Sequence, residues 1–194
     1  MARAPHPPAV VLVGFMGAGK SAVGREVAAR LCIPYLDTDD VIVTAEGPIP
    51  EIFAARGESG FRTLEAAIVV RELADLSREP KVLALGGGAV LAGDVRDALR
   101  RVEHVVWLTA PAGELWRRVS ADEDVERPLA RDEQAFTALL AARETLYGEV
   151  ATLVVDTSDR DAARIASELA AALSDPAATD ACARATRPPE EGAA

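Results

Sequence analysis

The stretch "VVLVGFMGAGKSAVG", Val10 to Gly24, constrains the fold of this chain more than any other. Val10 to Val13 form a stiff, apolar run of the kind that makes a buried strand. Gly14, Gly17 and Gly19 follow at once, and then Lys20 and Ser21. This spacing fits G-x-x-x-x-G-K-[ST], set between a strand and a helix. Glycine lets the backbone turn several N–H groups into one concavity, and the helix starting near Lys20 adds its N-terminal partial charge. Gly14, Gly17, Ala18, Gly19, Lys20, Ser21 and Ala22 are therefore expected to hold a polyphosphate. Lys20 is expected to reach the β- and γ-phosphates, and the Ser21 hydroxyl to ligate Mg²⁺. A tight strand-to-helix turn with an incidental lysine is the plain alternative, but the motif falls where the phosphate-binding mechanism requires it.

Such a loop belongs to an α/β frame, and the rest of the chain supplies one. "AVVLV", "KVLAL", "HVVWL" and "TLVVD" read as buried strands, and "PYLD" as a weaker fifth. Between them, residues 21–31, 60–76, 93–101, 112–121, 132–147 and 160–173 repeat apolar residues at helical spacing. This alternation predicts a parallel sheet with helices on both faces. Apolar residues make up 49% of the 194, enough for one domain with a real core. Residues 9–174 are expected to form it, after a loose arm over 1–8. From residue 175 the sequence loses any periodic face, which predicts a disordered tail over 175–194. No apolar run is long enough to cross a membrane, and the first residues lack a signal-type apolar stretch. Cys32 and Cys182 make no metal or redox spacing, so reduced thiols and a cytoplasmic protein are expected. The net charge of −10 argues against nucleic acid and requires a local basic pocket for any anionic ligand. With no apolar stripe left over, a monomer is expected.

Further candidates lie on later segments. In "YLDTDD", Asp37 and Asp39 would share one face of an extended chain, one serving a Mg²⁺ shell and the other accepting a proton. Helix capping by Asp39 or Asp40 explains the same letters equally well. In "IFAARGESGFRTLE", Arg62 has Phe53 and Phe61 nearby, which suits a small ring compound bearing a carboxylate. A surface arginine beside core phenylalanines is the alternative. "ALGGGAV" puts Gly86, Gly87 and Gly88 at a strand's carboxyl end, where a ligand could pack on bare backbone and use its N–H groups. Arg127, in a polar stretch that could form a lid, and Arg143, in a helical pattern, read on their own as ordinary surface charges.

Taken together, "GFMGAGKSAVG", "LDTDDVI", "IPEIFAARGESGFRTLE", "LGGGAV", "ERPLA" and "RETLY" resemble shikimate kinases in order and spacing from about Val10 to Thr157. The resemblance implies a P-loop kinase fold with a five-stranded parallel sheet and a small lid. It implies ATP and Mg²⁺, and transfer of the γ-phosphoryl group to the 3-hydroxyl of shikimate, a step towards chorismate and the aromatic amino acids. It gives Asp37 to the Mg²⁺ shell with Ser21, and Asp39 to the substrate hydroxyls as the proposed base. Arg62 and Arg143 match the grip on the substrate carboxylate, Gly86 to Gly88 the substrate lining, and Phe53 and Phe61 the pocket walls. Arg127 matches a lid arginine near the phosphates, and Arg118 an arginine that stacks on adenine. A kinase of the same build acting on another polyol acid such as gluconate, or a nucleotide-binding module without catalysis, are the rival readings.

Overall fold

The computed structural model describes residues 7–121 and 132–174. The elements run β1 (Val10–Val13), α1 (Lys20–Leu31), β2 (Tyr35–Asp37), α2 (Thr38–Glu46), α3 (Ile49–Asp75), β3 (Val82–Ala84), a 3₁₀ turn (Ala89–Leu91), α4 (Gly93–Leu99), β4 (Val105–Thr109), α5 (Ala112–Ser120), α6 (Glu133–Val150), β5 (Leu153–Asp156) and α7 (Ala162–Ser174). The expected tail, and the arm up to residue 6, lie outside the described residues.

All strand pairs are parallel, in the order β2-β3-β1-β4-β5. β1 is central because its four residues have no polar side chain to satisfy; each is at most 1% exposed. Leu12 lies opposite Ala84 on one side and Val106 on the other. Parallel crossovers are right-handed. The step from β1 to β2 runs one way across the sheet, and every later step runs the other way, so α1 is sent to one face and α3 and α4 to the opposite one. α7 returns to pack on α1, while α3 packs on α4. The predicted helices on both faces are therefore present. Among the described residues no helix is long and apolar enough to cross a membrane.

The structure adds helix between residues 38 and 59 that the spacing did not predict. "TDDVIVTAE" forms α2 although its β-branched and acidic residues are poor helix formers. Only Thr38 and Ile42 of α2 are buried, so it shows little of a helical stripe. α3 begins at Ile49 instead of residue 60, with Pro50 in its first turn, where a missing N–H costs nothing. It breaks helical geometry at Gly57 (φ 67°, ψ 177°). Around this break Ile42, Ile52, Phe61 and Ile68 close a small apolar cluster separate from the main core.

Candidate functional site

Gly14 leaves β1 at φ 144°, and a Cβ there would lie 2.3 Å from the Leu108 carbonyl oxygen. The loop can pass so close to β4 only with glycine at this point. Gly19 caps α1 in the left-handed region, and Ala18 is fully buried beneath the turn. The Lys20 ammonium arches back to donate to the carbonyls of Gly14 (2.9 Å) and Phe15 (3.0 Å). Gly17, Gly19, Lys20, Ser21 and Ala22 line one side of a cleft of about 480 Å³.

Asp37 ends β2 and caps α2, its Oδ1 accepting the Asp39 N–H at 3.1 Å. The two carboxylates therefore do not sit on an extended chain. Asp39 stands in the first turn of α2, and the capping residue is Asp37 rather than Asp39 or Asp40. Both carboxylates still reach the cleft. Asp37 Oδ2 accepts from the Ser21 hydroxyl (3.0 Å) and from the Tyr35 hydroxyl (3.0 Å). Burial, reinforced by the charges of Asp37 and Glu65, pushes Asp39 up to about 6, against the pull of Lys20. A carboxyl group in that range can take a proton near neutral pH.

The opposite wall is built by α3 and α6. Arg62 Nη1 donates to Glu65 one turn on, at 2.7 Å. Its guanidinium also lies 5.2 Å from the Phe61 ring centroid, and Phe61 stacks on Phe53 at 4.5 Å. Arg62 Nε is buried with no hydrogen-bond partner among the described residues. The residue itself lines the cleft, where a guanidinium suits a carboxylate. Arg143 is not the surface charge its sequence context allows. It is 4% exposed, donates to the Gly87 carbonyl (3.2 Å) and lies over Phe15. The Tyr147 hydroxyl donates to the same carbonyl at 2.6 Å.

The glycine triplet works differently from the expectation. A Cβ at Gly86 would stand 2.7 Å from both Asp39 and Glu65, and one at Gly88 would stand 2.1 Å from Arg62 Nη1. The three glycines line the cleft, and Gly86 and Gly88 make room for charged groups of this protein. The Gly86 N–H is already given to Thr38 Oγ1 (3.0 Å), so it is not offered to the cleft.

A family model described as shikimate kinase matches residues 16–174. The chain belongs to the shikimate kinase family. A shikimate kinase of Enterococcus faecalis is 36% identical over 82% of this chain and 95% of its own. One of Symbiobacterium thermophilum is 40% identical over 82% and 92%. Among solved structures, the Acinetobacter baumannii shikimate kinase in complex with shikimate is similar with a TM-score of 0.76 and 38% identity, over 84% of this chain and 90% of that one.

In this shikimate kinase framework, Gly14 and Ala18 support the phosphate loop from beneath while Met16, Gly17, Gly19, Lys20, Ser21 and Ala22 line the cleft. Arg118 is not among the cleft residues. It stands behind the loop, donating to Gly17 O (3.3 Å), Thr157 Oγ1 (2.9 Å) and O (2.7 Å), and Glu114 (2.9 Å). Arg127 lies outside the described residues, and the lid expected around it falls largely there too. Cys32 is a free, exposed thiol, and Cys182 is outside the described residues. Sequence reasoning passed over Glu65, which is 2% exposed in the cleft wall; its signal was the three-residue spacing to Arg62 on a helix. It also passed over Tyr147, whose buried hydroxyl no letter pattern reveals.

Proposed function

We propose that this chain is an ATP-dependent kinase that phosphorylates the 3-hydroxyl of shikimate, within the pathway to the aromatic amino acids. One observation carries the reading. Asp39 lines a single cleft that has the phosphate loop on one side and Arg62 and Arg143 on the other. A donor of phosphoryl groups and a carboxylate-bearing acceptor would meet across that carboxylate.

Each residue then has a task set by its chemistry. Arg62 and Arg143 grip the acceptor's carboxylate. Glu65 holds the Arg62 guanidinium in place, and Phe53 and Phe61 wall the ring. Asp39 Oδ accepts the proton that the acceptor hydroxyl loses as its oxygen bonds to phosphorus. Lys20 supplies positive charge beside the phosphates, and Arg118 braces Gly17 from behind. Ser21 and Asp37 are an oxygen pair suited to Mg²⁺, a hard cation that keeps several waters and needs few protein ligands. Bound Mg²⁺ supplies neutralising charge to the phosphates. The surface supports a monomer, since among the described residues only Val43 and Leu91 expose large hydrophobic side chains.

A coupled assay of ADP release with shikimate, quinate, gluconate and nucleoside monophosphates tests the reading. Turnover with shikimate and little with the others is expected. Turnover with gluconate and none with shikimate would keep the kinase and replace the substrate; none with any would leave a nucleotide-binding module.

A further inference from the structure

The Tyr35 ring is held on three sides. It sits on the bare backbone of Gly24, where a Cβ would stand 2.5 Å from Tyr35 Cε2. The Arg25 guanidinium lies 5.3 Å from its ring centroid. Its hydroxyl bonds Asp37 Oδ2 at 3.0 Å. Tyr35 and Asp37 are two residues apart on β2, so their side chains leave the strand on the same side. A phenylalanine would fill the ring's seat as well. The oxygen adds the contacts to Asp37 and Ser21.

We propose that the Tyr35 hydroxyl is a positioning group for the divalent-cation site, fixing the Asp37 carboxylate in the orientation it needs to share a cation with Ser21. The inference rests on the reading of Ser21 and Asp37 as that site. Asp37 Oδ1 is held by the Asp39 N–H, and Oδ2 by Ser21 and Tyr35 together. The Ser21 hydroxyl can offer a lone pair to a metal while its proton stays on Asp37. The Tyr35 hydroxyl interacts with Ser21 as well as with Asp37, so it steadies the carboxylate and the serine together. The ring's seat fixes the hydroxyl beforehand, so little side-chain freedom is lost when the site is used. Groups that orient metal ligands from behind commonly change metal affinity tenfold or more.

Mn²⁺ serves as the probe, titrated by electron paramagnetic resonance into full-length wild type, Tyr35→Phe and Asp37→Asn in the presence of ADP. The number of Mn²⁺ sites per chain counts the folded fraction, so affinity is readable even if a variant is partly unfolded. Tyr35→Phe is expected to weaken Mn²⁺ about 10-fold while leaving metal-free ADP affinity unchanged. The Mg²⁺ concentration for half-maximal turnover should rise by a similar factor, and kcat at saturating Mg²⁺ should fall by a smaller one. Asp37→Asn should weaken Mn²⁺ further. Wild-type Mn²⁺ affinity in Tyr35→Phe beside a weakened Asp37→Asn would overturn the role of Tyr35 and leave the cation site standing. Wild-type affinity in both variants would overturn the site itself, and the inference with it.

Discussion

Asp39 holds two demands in one side chain. Burial and two neighbouring carboxylates disfavour its charge, yet a proton acceptor must carry that charge. Its folded value of about 6 lies above the ordinary 3.8, so neutral Asp39 favours the fold below 3.8, and that support is lost as pH rises through about 6. Above pH 6 the ionised group costs on the order of 2–3 kcal/mol. Asp39→Asn should therefore melt higher than wild type at pH 8, with the gap closing towards pH 4, in thermal scans across that range. The same variant should lose about two orders of magnitude or more in kcat, because amide nitrogen and oxygen accept no proton here. Wild-type turnover should rise with pH through about 6. On the other wall, Arg62→Ala or Arg143→Ala should weaken shikimate by roughly 2–4 kcal/mol in isothermal titration, with ADP affinity spared. Lysine at either position should rescue only part of this, since it restores charge without the planar fork. Undiminished shikimate binding by both alanine variants would remove the arginines from the site. Asp39, Arg62 and Arg143 were legible as letters in motifs. Their surroundings were not, because burial of Arg143 and the desolvation of Asp39 arise from segments distant in sequence.

At the scale of elements, the sequence betrays what repeats and hides what is locally disfavoured. α1 was readable because Val23, Val27 and Leu31 recur every four residues and a glycine cap precedes it. α2 was not, because it owes its helix to the Asp37 cap and to the burial of Thr38 and Ile42, and its composition argues for strand. The run "EGPIP" masks the start of α3 by looking like a loop. The glycine triplet links these elements to α6 through the Gly87 carbonyl, which Arg143 and Tyr147 both bond. A side chain at Gly88 forces the end of Arg62 to move. Gly88→Ala would press a methyl group to 2.1 Å from Arg62 Nη1 and push the guanidinium aside. It should lower shikimate affinity by about tenfold or more, as for a lost charged hydrogen bond, while ADP binding and kinase folding persist. Titration of both ligands checks this. Unchanged shikimate affinity would mean that Arg62 has room to retreat and still function.

Across the whole molecule, a net charge of −10 surrounds a cleft that must admit two anions. Long-range repulsion between exposed charges is screened over about 10 Å at 0.1 M salt, whereas contacts within a closed site are screened much less. Raising KCl from about 10 to about 150 mM should therefore raise kcat/KM for shikimate by roughly two- to fivefold before higher salt weakens the contacts themselves. A monotonic fall from the lowest salt would show that the arginines govern the field even at a distance. The sheet was legible at this scale because parallel strands buried on both faces are written as continuous apolar runs. Its strand order was not, since no local spacing encodes which run lies beside which. The separate apolar cluster of Ile42, Ile52, Phe61 and Ile68 has a consequence for descent with modification. α3 gives Ile52, Phe61 and Ile68 to that cluster, and Ala66, Val69 and Leu73 to the main core. Mutations that reshape the acceptor side can accumulate around the smaller cluster without loosening the strand that anchors the phosphate loop. A lineage built this way can exchange one acceptor for another while inheriting its phosphoryl-donor half intact.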